Sequence, residues 1–326
     1  MEPTVPAGYR DLAETQARNQ AHLLDKDHVV GVACGTKIAG GEDTGEQALT
    51  VLVDTKLPRE MLTEDDLVDT SVDDTPTDVQ EVGVLQAGQA VPVPPEVMEP
   101  SALSQRVRPA MGGFSCGHPQ VTAGTIATGC YDASPFPGIP QRYYLLSNNH
   151  VIANSNNAQI GDPCLQPGRV DGGQDPQDVI GRLARFVPIQ FMSGASAPLN
   201  LVDAAIAEVP FHLLSREIYY LGYVKRLFIA PNINDVVQKT GRTTNFTTGR
   251  VTNINATVDV NYDGRVARFA RQTITTAMSA GGDSGSLVTN LDEEGVGLLF
   301  AGSSEVTILN NLAFVQSLLG VRITEK

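Results

Sequence analysis

The chain has 326 residues, 41% of them hydrophobic and 18% charged, which is enough for two ordinary domains with real cores and excludes global disorder. Its 31 glycines and 20 prolines favour many short strands over long helices, and no apolar run approaches the roughly 18 residues of a membrane span. The net charge of −14 lies in residues 1–100, with 20 Asp/Glu against 6 Lys/Arg, whereas residues 101–326 hold 17 of each; neither part offers the basic face that nucleic acid requires.

The start, Met1-Glu2-Pro3-Thr4-Val5-Pro6, has no basic stretch and no apolar run, so no secretory signal is expected. Residues 9–25 carry Leu12, Ala13, Ala17, Ala21 and Leu24 at helical spacing. Two β-rich runs, 29–38 and 48–57, flank a loop with Gly40, Gly41 and Gly45. Pro58 can open a short helix reaching Leu67, and 78–86 reads as another strand. These elements make an acidic α+β domain over 1–89, followed by a proline-rich linker over 90–111.

From residue 112 to 326 the texture is that of an antiparallel sandwich or barrel. Short apolar runs recur at 120–127, 143–147, 178–186, 201–209, 236–239, 249–258, 267–275, 285–289 and 295–301. Residues 311–319 place Leu312, Phe314, Val315 and Leu319 on one face of a closing helix. Cys34, Cys116, Cys130 and Cys164 form no CxxC pair and read as small buried hydrophobes in a reducing cytoplasm, with a Cys130–Cys164 bridge left open. The aspartates of 171–178 lack the spacing and closing glutamate of a calcium loop and read as a solvated turn.

The chemistry concentrates in three strings. In Ala280-Gly281-Gly282-Asp283-Ser284-Gly285-Ser286, the glycines allow the Gly282 and Ser284 amides to converge beside the Ser284 hydroxyl. A serine needs such donors, and a base, to become a nucleophile; a plain glycine-rich hairpin is the competing reading. In Leu145-Leu146-Ser147-Asn148-Asn149-His150-Val151, an apolar strand delivers a histidine, unlike the settings of His22, His28, His118 and His212. In Leu201-Val202-Asp203-Ala204-Ala205-Ile206, a carboxylate sits inside an apolar run and needs a partner, which a histidine N–H supplies.

In the order and setting of these three strings, residues 112–319 resemble the chymotrypsin-fold serine peptidases. The Lys239-Thr240-Gly241-Arg242-Thr243 stretch is similar to the turn that opens the second barrel of bacterial members. The extra N-terminal unit also resembles the narrow-leaf-type branch. The resemblance implies a mainly β fold: two six-stranded antiparallel barrels with a C-terminal helix, preceded by the small α+β domain. It implies a serine endopeptidase in which Ser284 attacks, His150 is base and then acid, and Asp203 orients His150. Gly282, Asp283 and Ser284 would form the oxyanion hole. Lys239 or Arg242 would pair with Asp283. Met278, Ser279, Ala280, Phe300, Ala301 and Gly302 would line the substrate pocket.

Met278 at the pocket base would leave a basic side chain uncompensated, so an apolar or small residue is expected there. Phe300 stands where members carry a serine beside the aspartate, so Asp203 must find its second hydrogen bond elsewhere. No metal or organic cofactor is expected, and the partner is a protein or peptide substrate. The acidic N-terminal domain could dock a regulatory protein. Two further readings share the same residues: a peptidase-shaped binding module with little turnover, and an esterase or self-processing enzyme.

Overall fold

The structure, a computed structural model, describes residues 4–88, 102–133 and 142–324. The protein is mainly β. Six strands form a ring: Val236–Gly241, Asn245–Tyr262, Arg265–Thr276, Val306–Asn311, Gly295–Gly302 and Leu287–Asn290. Each is hydrogen-bonded to the next, and the last pairs back to the first through Gln238↔Thr289. Such closure leaves no end strand in the ring, although its longer strands project past their neighbours.

A second set of six strands runs in the order Pro163–Leu165, Val179–Phe186, Ala205–Glu208, Tyr143–Ser147, Thr128–Asp132 and Val321–Arg322. Among the described residues its pairings do not close on themselves. Tyr143–Ser147 is buried throughout and lies between two neighbours, which makes it a rigid base for whatever follows it. The closing helix Leu312–Leu319 starts where the Asn311 side chain accepts a hydrogen bond from the Ala313 amide. It ends at Gly320 in the left-handed region and packs Leu312, Phe314, Val315 and Leu319 against the second set.

The N-terminal elements extend the closed ring rather than standing apart from it. Val29–Ala39 and Glu42–Val53 form a hairpin whose first strand pairs antiparallel with Asn245–Tyr262, from Gly31↔Val258 to Cys34↔Ile254. It takes over the edge that Val236–Gly241 leaves at Val236↔Arg250. Thr75–Glu81 and then Ser71–Val72 continue the sheet on this side, and Leu199–Asn200, paired with Arg265–Thr276, makes the eleventh strand. The helix Arg10–Leu24 ties both parts together, because Gln16 Nε2 donates to Val32 O (3.0 Å) and to Asn255 O (2.8 Å). Most of the 90–111 linker lies outside the described residues, and its end already forms the strand Ala110–Gly112.

Three local expectations change. The helix expected from Pro58 to Leu67 is a single turn, Arg59–Met61, with no buried residue; Met61 is 69% exposed, so no apolar face holds a longer helix in place. The strand expected over 120–127 is cut to Gly124–Thr125, because a turn at His118–Val121 takes up its start. The strand expected over 201–209 splits into Leu199–Asn200 and Ala205–Glu208. Between them the backbone leaves the ladder at Asp203, whose carbonyl accepts from Asn148 Nδ2 and Asn310 Nδ2 and whose amide donates to Asn310 Oδ1. All four cysteines are free and buried, with no Cys130–Cys164 bridge. Asp171, in the expected solvated turn, accepts from Ser115 Oγ and pairs with Arg242.

Candidate active site

Asn149–Ile152 is a single helical turn that follows directly on Tyr143–Ser147, so His150 is fixed by the buried strand behind it. Its Nδ1 lies 2.6 Å from Asp203 Oδ2, and its backbone N–H donates to Asp203 Oδ1 at 3.2 Å. Asp203 is fully buried and His150 is 6% exposed. A carboxylate can only accept, so Nδ1 carries a proton toward Asp203, and in the neutral ring Nε2 is the nitrogen with the free lone pair. That Nε2 is buried and has no hydrogen-bond partner among the described residues.

The second hydrogen bond to Asp203 comes from Tyr262, whose hydroxyl donates to Oδ2 at 2.8 Å. Tyr262 was invisible to the sequence reading because it ends a long strand far along the chain and carries no motif. Burial, and then the Asp203 charge, push its phenol well above the ordinary tyrosine range. It therefore stays protonated and remains a donor. Phe300, which occupies the position expected for a serine, instead packs against Phe269 with ring centroids 4.8 Å apart.

Removing that donor leaves a buried carboxylate short of one partner. Tyr262→Phe is expected to cost about 1–3 kcal/mol in a urea titration. The sign with pH follows from the raised pKa: the bound phenolic proton stabilises the fold below pH 10, and this is lost as pH rises further. The wild type should lose stability above pH 10 more steeply than Tyr262→Phe. Equal slopes would show that Tyr262 is not held as described.

Ser284 sits on a loop that two glycines shape. Gly282 and Gly285 both have φ of +97°, a region that side chains rarely enter. A Cβ on Gly282 would come within 2.4 Å of Thr243 Oγ1, and one on Gly285 within 2.2 Å of Thr125 O and 2.4 Å of Ser147 Oγ. The loop is thus pressed against the strand that leads to His150. Thr125 locks it further: its amide donates to Ser284 O at 2.7 Å and its hydroxyl to Gly282 O at 2.8 Å.

Asp283 is fully buried and 3.2 Å from Lys239 Nζ, which is buried as completely. It also accepts from the amides of Thr243, Thr244 and Ala280 and from Thr244 Oγ1. Burial lowers the Lys239 pKa and the Asp283 charge opposes that fall. Arg242, the other candidate partner, turns to Asp171 instead. The Asp283 amide donates to Ala280 O, which removes it as an oxyanion donor. The Gly282 and Ser284 amides have no acceptor among the described residues.

No hydrogen bond joins Ser284 to His150. Gly88 is their common neighbour: its Cβ position lies 3.4 Å from His150 Cδ2, and Gly88 lines the same small cavity as Ser284. Ser279, Ala280, Ala301 and Gly302 line that cavity too, together with Gly281, Leu299, Ser303 and Gln86. Met278 and Phe300 do not. Phe300 packs in the core against Phe269, while Leu299, Ala301 and Gly302 border the cavity at a strand end whose register shifts between Leu299 and Ala301. Met278 packs into another core cluster, filling room left by Gly249.

Among the described residues no cluster of three or more metal-ligating side chains occurs and no helix is long and apolar enough to cross a membrane. No protein-family model matches the chain, and no curated protein does. Over about two-thirds of its length the chain is similar to bacterial proteases of known structure. Protease A of Thermobifida fusca is 15% identical, with 66% of this chain and 97% of that one covered and a TM-score of 0.45. The Cellulomonas bogoriensis chymotrypsin is 16% identical over 67% and 99%, with a TM-score of 0.44, and the Nocardiopsis protease is 16% identical over 65% and 97%, with a TM-score of 0.46.

Proposed function

We propose that the protein is a serine endopeptidase of the chymotrypsin type, with a catalytic unit over 112–326 and His150, Asp203 and Ser284 as its triad. One observation carries the reading: buried Asp203 holds His150 Nδ1, and the unpartnered Nε2 lies 3.9 Å from the Cβ position of Gly88, which lines the cavity beside Ser284. In this reading Ser284 Oγ attacks the scissile carbonyl while His150 Nε2 takes its proton. The carbonyl oxygen becomes an anion held by the Gly282 and Ser284 amides. His150 then passes the proton to the departing amine, and water repeats the sequence to release the acyl group. Catalytic hydrogen bonds of this kind are often long before substrate binds, which accommodates the missing Ser284–His150 bond.

The cavity beside Ser284 is lined by small, polar or apolar residues without a charge, which supports selection of a small or apolar side chain before the cut. Four free thiols suit a reducing compartment, in line with a cytoplasmic setting. The test is covalent. A fluorophosphonate should label the native protein on Ser284, as read by peptide mass mapping, and fail to label Ser284→Ala. A folded wild type that resists the reagent, or carries it elsewhere, would sink the reading.

A further inference from the structure

Residues 82–88 approach the proposed site from the N-terminal part of the chain and bind its edge. The Gln86 amide donates to Gly302 O and the Gly302 amide donates to Gln86 O, both at 3.0 Å, which is an antiparallel bridge. On the other side, Ala87 N donates to Asn261 O (3.1 Å) and Asn261 N donates to Leu85 O (2.9 Å). Val82, Leu85 and Ala87 are buried in the core cluster that also holds Phe300 and Ala301. Ser303 Oγ donates to Val82 O, so the segment is tied to the end of the same strand.

Gly302 ends the strand that borders the Ser284 cavity, and its paired N–H and C=O are what an extended peptide would use to add itself to that edge. Here both are taken by Gln86. Two residues on, the segment bends, and Gly88 has φ of +79°, outside the extended conformation a residue about to be cleaved must hold. Among the described residues the Gly88 amide donates to no carbonyl. The segment thus enters like a substrate and turns aside next to His150.

We propose that residues 85–88 are a built-in competitor of peptide substrates, an inhibitory strand that a substrate must displace from Gly302 before Ser284 can act on it. This rests on the peptidase reading. Because the strand belongs to the same chain, its effective concentration at the edge is high and independent of dilution. A small electrophile that does not need the Gly302 edge escapes the competition.

The test compares two probes on the full chain, a fluorophosphonate and an Ala-Ala-Ala diphenyl phosphonate. Ala87→Pro, outside the cavity lining, removes the N–H that bonds Asn261 O and so loosens the same segment. It is expected to speed labelling by the tripeptide probe by about tenfold or more while the fluorophosphonate rate stays within about twofold. Equal tripeptide rates in wild type and variant, with both labelled by the fluorophosphonate, would overturn this inference alone. Silence of both proteins toward the fluorophosphonate would overturn the peptidase reading and the inference with it. A measurement on the wild type covers a variant that fails to fold. Amide exchange of residues 82–88 should speed up after tripeptide labelling and stay slow after fluorophosphonate labelling, and protection kept in both adducts would overturn the proposal. Intact mass showing a chain cut after Gly88 would overturn it as well, since the segment would then be a substrate.

Discussion

Asp203→Asn is expected to lower kcat on a peptide substrate on the order of 10⁴-fold, with KM little changed. The carboxylate accepts three hydrogen bonds at once, from His150 Nδ1, the His150 amide and Tyr262. An asparagine side chain keeps the size, but when its oxygen accepts from the His150 amide, as Oδ1 does, its NH₂ takes the place of Oδ2. Nδ1 then must accept, and the Tyr262 hydroxyl loses its acceptor there. The ring proton moves to Nε2 and points at the crevice, where a base is needed. The imidazolium formed in turnover also loses its counter-charge. Steady-state kinetics alongside a urea titration check this: a loss under tenfold in a folded variant would show that Asp203 does not set the tautomer.

Lys239→Ala is expected to destabilise the fold by about 3–5 kcal/mol, the cost of stranding a buried charge. Lys239 and Asp283 are both fully buried, so water cannot replace the lost ammonium. Lys239 Nζ also bonds Thr244 Oγ1 and Asn245 O, so its removal frees the turn at Thr243–Asn245 that carries other donors to Asp283. The Ser284 loop then loses its anchor beneath Asp283 and keeps Thr125 and the Gly285 amide on Leu299 O. A drop in the urea midpoint, together with slower fluorophosphonate labelling, is the expected pair of results. An unchanged midpoint and labelling rate would show that the ion pair does not support the loop.

His150 and Asp203 meet directly, and the Ser284 loop packs against the strand that leads to His150, with no hydrogen bond between Ser284 and His150. Asp203 was legible because a carboxylate among Val202, Ala204 and Ala205 demands a partner, and His150 because an apolar strand delivers it. Lys239 was legible only as one of two cations near Asp283, since the choice depends on which side chain reaches the buried side of the turn. Tyr262 and Gln86 were not legible at all. Each reaches the site through strand register over long separations, and register is set by pairing across the whole ring rather than by neighbours in sequence. Phe300 and Met278 do not border the cavity, because Phe300 packs on Phe269 and Met278 fills core space beside Gly249, contacts that a stretch of sequence does not reveal. The N-terminal unit looked separate because its charge differs, yet surface charge says nothing about which strand edges meet.

That difference in charge finds its place at the outer end of the eleven-stranded sheet. The last strand there, Ser71–Val72, is two residues long and is flanked by Asp69, Asp73 and Asp74, with Asp78 and Glu81 on the strand beside it. A bare sheet end is a template on which another copy of a protein can grow, and brevity and like charges both discourage this. The carboxylates gathered at this end therefore oppose, by repulsion of like charge, the approach of a second copy along the same edge.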